Sequence, residues 1–157
     1  MEINEIIEFV DNLGGVLTLN PVPGDGTPEI SWGDTFFYYA PDGVVPRTQP
    51  FATIVTKNYP DDESSRLDRP NTFRLNIFGG KEAFTALTGH TPRDHAANPA
   101  DPSIPDTLVP HPVYGAQGWL AVVNPGRHTA TTVTHLLHRA HHIARTRYER
   151  RESHADN

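Results

Sequence analysis

The sequence contains no cysteine in its 157 residues. That absence excludes disulfides, thiolate zinc sites, iron–sulfur clusters and thiol nucleophiles together. Long hydrophobic runs are also missing, and no stretch approaches the roughly 18 apolar residues of a membrane span. The first residues carry Glu2, Glu5, Glu8 and Asp11 where a secretion signal would have a basic start and an apolar run. A cytoplasmic location is the resulting expectation. Serine is sparse, and neither G-x-S-x-G nor S-x-x-K occurs, so serine nucleophile chemistry has little support. Positive charge is scarce as well. The formal net charge is −6, with sixteen acids against seven bases in residues 1–110 and three against six in residues 111–157. A basic end this modest is not the concentrated cationic face of a nucleic-acid binder.

What is present fits one ordinary core. Apolar residues make up 36% of the chain, with two Trp, five Tyr and seven Phe, and the length suits one domain. Fifteen Pro and twelve Gly, spread along the chain, announce long irregular connections. Ile3, Ile6, Ile7, Val10 and Leu13 recur at helical spacing opposite the acids, and Gly14-Gly15 ends the run. Residues 16–19 read as a short strand, and residues 20–28 as a loop. Residues 29–40 read as two strands about Gly33-Asp34, with Asp34 in turn chemistry, and Pro41-Asp42-Gly43 is a turn.

Residues 51–57 read as a strand, and the charged segment 59–70 as an exposed connection. In residues 73–78, Phe73, Leu75 and Ile77 share one face while Arg74, Asn76 and Phe78 share the other. A short helix with Ala83, Phe84 and Leu87 on its stripe follows, closed by Gly89. Residues 90–110 show almost no pattern, and a loop of that length in a small domain is usually functional or mobile. Residues 119–124 read as the last strand. The longest helix, over residues 129–149, carries Val133, Leu136, Leu137, Ala140, Ile143, Ala144 and Tyr148 as one stripe. The expectation is a single α+β domain over residues 1–150. A mainly antiparallel sheet would be flanked by an N-terminal helix, a short middle helix and a long C-terminal helix. Residues 151–157 would form a polar, disordered tail.

Two segments together carry a resemblance: Ser65-Arg66-Leu67-Asp68-Arg69-Pro70 running into Phe73-Arg74-Leu75-Asn76-Ile77, and His111-Pro112-Val113-Tyr114-Gly115 followed by Gly118-Trp119. They resemble an uncharacterised bacterial family of small stand-alone domains, over roughly residues 3–147. More remotely, the layout is similar to the MmcQ/YjbR-like (double-wing) fold, through Trp32-Gly33, a mid-chain strand and helix, a Trp-bearing strand and a closing helix rich in Leu and His. The double-wing resemblance implies DNA binding as one option, and neither resemblance supplies catalytic residues.

Arg74 is the most informative polar residue. It is either an anion anchor on a pocket-facing sheet surface, paired with a ligand or with Asp68, or a coating on a wet face. Asp68 and Arg69 open the same strand and are candidate ligand contacts or turn residues, and Asn76 shares the Arg74 face. His111 and Tyr114, three residues apart, form a candidate acid/base pair, and Trp119 is a candidate wall for a ring. The alternative is an ordered loop whose Tyr and Trp plug the core. His135, His138 and His142 lie opposite the apolar stripe of the long helix. His138 and His142 have the spacing of a zinc pair, but no HExxH occurs, and a catalytic metal also needs a third ligand and an enclosed open position, so no metal and no cofactor is expected. Gly79-Gly80-Lys81 lacks the rest of a phosphate loop.

The functional expectation is a small-molecule-binding domain, with a cofactor-free acid/base enzyme of bacterial metabolism acting on an anionic or ring-bearing molecule as its enzymatic form. The alternative is a non-enzymatic interaction or DNA-binding domain of double-wing type. Nucleic acid ranks below a small ligand because of the net charge.

Overall fold

The computed structural model describes residues 1–97 and 100–155, so 98–99 in the long loop and 156–157 in the expected tail lie outside the described residues. Three helices and six strands follow one another as α1 (Ile3–Asp11), β1 (Val16–Leu19), β2 (Thr35–Tyr39), β3 (Ala52–Val55), β4 (Arg74–Phe78), α2 (Gly80–Thr88), β5 (Leu108–Pro110), β6 (Trp119–Val123) and α3 (Ala130–Ala155). The strands form one antiparallel sheet in the order β1-β2-β3-β4-β6-β5. This is the α+β class and layout expected from the sequence.

Strand alternation decides what each sheet face carries. Ala52 pairs with Ile77, Ile77 with Leu120, Ile54 with Leu75 and Leu75 with Val122, so one face is continuously apolar. Ile6 and Val10 of α1, Phe84 of α2 and Val133, Leu136, Leu137 and Ala140 of α3 pack on that face in a single core. All three helices therefore contribute to one side of the sheet. The opposite face carries Thr53, Asn76 and Ala121 in one row and Val55, Arg74 and Val123 in the next. Loops cover its Arg74 end, where Leu67 and Tyr59 pack on Val55 and Val123 in a second small cluster.

Local chemistry explains the ends. In α1, Glu2 and Glu5 form a capping box. Gly14 and Gly15 turn the chain into β1 with φ of 92° and 67°, and at Gly15 a Cβ would lie 2.7 Å from the Tyr39 ring. The His141 ring of α3 is buried between the edges of Tyr39 and Phe51 and donates from Nε2 to the Gly14 carbonyl oxygen at 2.7 Å. Gly89 closes α2 in the left-handed conformation expected of a helix end.

Three elements differ from the sequence reading. Residues 29–31 form a 3-10 turn between Pro28 and Gly33, with the Trp32 indole bonded to the Thr27 carbonyl, so only one strand, β2, lies in residues 29–40. Strand β5 emerges from the patternless loop. It is three residues long and ends in Pro110, which suits an edge that pairs only with β6. Helix α3 continues through residues 151–155, where a polar tail was expected, with its side chains exposed. His135, His138 and His142 are exposed on α3, as the helical wheel required. Among the described residues no group of three His, Asp or Glu could hold a metal ion. No helix among them is long and apolar enough to cross a membrane.

Candidate functional site

A groove of about 670 Å³ opens on the helix-free face of the sheet. Its walls include Phe36, Val55, Tyr59, Val113, Tyr114 and Trp119, and its polar groups come from Thr53, Asp62, Arg74, Asn76 and His111. Apolar walls with a few convergent polar groups are the usual composition of a small-molecule site.

Arg74 lies at the centre of the polar groups. As the first residue of β4 it projects to the loop-covered face, where it is 2% exposed. A buried guanidinium is stable only with its donors satisfied and its charge matched. Asp62 does both, accepting from Nη1 at 2.9 Å and from Nη2 at 2.6 Å in a bidentate fork. Ser65 Oγ accepts from Nη1 at 2.9 Å, and Asn76 Oδ1 accepts from Nε at 2.8 Å. Asn76 passes the arrangement on, donating from Nδ2 to Thr53 Oγ1 at 3.0 Å. Burial would raise the Asp62 carboxyl. The hydrogen bonds and charge of Arg74 outweigh it and hold the group below the ordinary carboxylate value.

His111 enters from the loop after β5. Its Nε2 faces Arg74 Nη2 at 3.2 Å, while its Nδ1 accepts from the backbone N–H groups of Val113 and Tyr114, both at 3.0 Å. Pro112 fixes φ at this turn and carries no N–H of its own, which leaves the next two amides to point back at the ring. Burial, and then the Arg74 charge, push the imidazole pKa down to about 3 against a weaker opposing pull from Asp62, so the ring is neutral at ordinary pH. The hydrogen-bond network assigns its single proton to Nε2. The other tautomer would take the acceptor from two part-buried amides to gain one Arg74 bond.

The other sequence candidates fall in different places. Asn76 and Trp119 line the groove, and Tyr114 stands at its rim, 50% exposed, with its ring 5.0 Å from that of His111. Asp68 is exposed and does not line the groove. Arg74 takes Asp62 as its partner instead. Arg69 donates to the carbonyls of Arg66, Ser65 and Ser103 and so ties the 59–70 segment to the loop before β5. Asp34 has more than turn chemistry. It is 1% exposed and accepts from the Thr56 amide and hydroxyl, from Lys57 Nζ at 2.9 Å and from the Tyr59 hydroxyl. Burial, then the bond to Asp34 and its charge, raise the Tyr59 phenol above its ordinary value. This knot anchors Tyr59 on the groove wall.

Sequence reasoning missed Asp62 and Ser65. Both lie in the segment read as an exposed connection. That segment folds back over the sheet through left-handed residues at Asp61 and Arg66, with φ of 62° and 56°. The available signal was charge balance: an arginine on a strand face needs a carboxylate, and the nearest acidic run is Asp61-Asp62-Glu63.

No curated protein and no solved structure matches the chain. A family model does match, over residues 1–153, and on that extent the chain belongs to DUF6194, a family of unknown function.

Proposed function

We propose that the protein binds a small, ring-bearing molecule in the groove on the helix-free face of its sheet. The observation that carries this reading is the buried Arg74–His111 pair, with Asp62 on Arg74, in a groove whose walls are largely aromatic and branched. Aromatic and branched side chains offer flat apolar contact, and the polar groups are held in place by one another, which lowers the ordering cost of binding. The chemistry of His111 favours hydrogen-bond donation over proton abstraction, since a ring with a pKa of about 3 is a weak base at neutral pH. This supports a binder, or an enzyme in which the imidazole N–H stabilises a developing oxyanion, ahead of a His111–Tyr114 acid/base pair.

A thermal-shift screen against ring-bearing metabolites tests the reading. A ligand at about a hundred times its Kd stabilises by about 2.7 kcal/mol. The same compound should lose its effect in Val113→Trp, which fills the mouth of the groove from a residue that is 42% exposed. A screen with no stabilising compound, or hits equally effective on Val113→Trp, would refute the groove as the binding site.

A further inference from the structure

The groove has a surplus of buried donors at one point. Arg74 uses four of its five N–H groups inside the protein: Nε–H on Asn76, the two on Nη1 with Asp62 and Ser65, and one on Nη2 with Asp62. Its fifth N–H faces His111 Nε2. That nitrogen also carries a proton, because two backbone amides occupy Nδ1. In that tautomer the 3.2 Å contact between Nη2 and Nε2 brings two donors together on groove-lining residues 2% and 3% exposed, and neither has another acceptor among the described residues. A buried donor without an acceptor is costly, and an oxygen placed between these two would satisfy both.

Charge narrows the choice of oxygen. Arg74 is the one cationic side chain lining the groove, and Asp62 already neutralises it through both carboxylate oxygens. Asp61, exposed at the rim, adds a second carboxylate. With His111 neutral, the lining carries net negative charge, which repels a carboxylate or phosphate ligand. A carbonyl-type oxygen accepts two hydrogen bonds without bringing a charge.

We propose that the site selects an uncharged, ring-bearing ligand whose carbonyl-type oxygen seats between Arg74 Nη2–H and His111 Nε2–H. This rests on the groove being a small-molecule site, and it narrows the anionic or ring-bearing ligand expected from the sequence to a neutral, ring-bearing one.

Three probes of nearly equal shape separate the possibilities: acetophenone, ethylbenzene, which replaces the carbonyl by a methylene, and benzoate, which replaces the ketone by a carboxylate. Binding is followed on the wild-type chain by NMR shifts of the Trp119 indole and the His111 ring. Acetophenone is expected to bind about tenfold more tightly than either analogue. Benzoate or ethylbenzene binding as tightly as acetophenone, at these same resonances, overturns the neutral-carbonyl assignment and leaves the groove as a ligand site. No shift at either residue with any probe overturns both readings. An independent measurement needs no ligand. Two-bond proton–nitrogen correlation of the His111 ring should place the proton on Nε2, and a proton on Nδ1 overturns the assignment by supplying Arg74 with an internal acceptor.

Discussion

At the scale of single residues, Arg74 is held by shape as much as by charge. Its guanidinium meets Asp62, Ser65 and Asn76 in three directions, which one ammonium cannot reproduce. Arg74→Lys should lose about 2 kcal/mol or more in urea unfolding, and Arg74→Met, which strands Asp62, about 3–5 kcal/mol. A loss under about 0.5 kcal/mol in Arg74→Lys would mean that the fork contributes little.

His111 predicts a pH dependence. Its folded-state pKa, about 3, lies below the ordinary 6.5, so the unfolded chain binds the proton more readily. Its contribution to stability is complete above pH 6.5 and is lost as the pH falls from there toward about 3. A single proton gives a slope of up to about 1.4 kcal/mol per pH unit. His111→Gln should flatten the stability curve between pH 6 and pH 4 (about two units of the window), and an unchanged slope would count against a buried neutral imidazole.

At the scale of elements, the start of α3 depends on a residue far away in sequence. Asp106 accepts from the amides of Gly126, His128 and Thr129 at 2.7, 3.0 and 3.0 Å, and from the Thr129 hydroxyl at 2.6 Å. A carboxylate there satisfies orphan amides and meets the positive end of the helix dipole. Burial opposes its ionisation, but these bonds win and bring the carboxyl down to about 2. Asp106→Ala should cost about 1–2 kcal/mol, the upper range for a lost helix cap. Amide exchange should accelerate in residues 126–133, and unchanged exchange there would contradict the capping role. The helix stripes and the β4 alternation were legible because one period repeats over several residues. Strand β5 was not legible, since three residues ending in proline carry no period, and its place is set by pairing with β6.

At the scale of the whole molecule, charge argues against the nucleic-acid option implied by the double-wing resemblance. The formal net charge is −6, and two arginines of α3 are engaged within the protein, Arg139 with Glu82 and Arg145 with Glu149. Duplex affinity comes largely from neutralised phosphates. We therefore expect no gel shift at micromolar protein and physiological salt. A shift that weakens steeply with added salt would put the DNA-binding reading ahead of the small-ligand one.

By itself the sequence determined the class of fold, the single core, the absence of thiol chemistry and the strand face that carries Arg74 and Asn76. These follow from composition and from periods of 2 and 3.6 residues, which are local properties. Only the tertiary structure decided that loops, and not helices, cover the Arg74 end of that face, that Asp62 in place of Asp68 meets Arg74, and that His111 reaches the same point from beyond β5. Those contacts join residues 12 and 37 positions apart. They exist because a buried guanidinium must find its partners in space, and spacing along the chain carries no record of that choice.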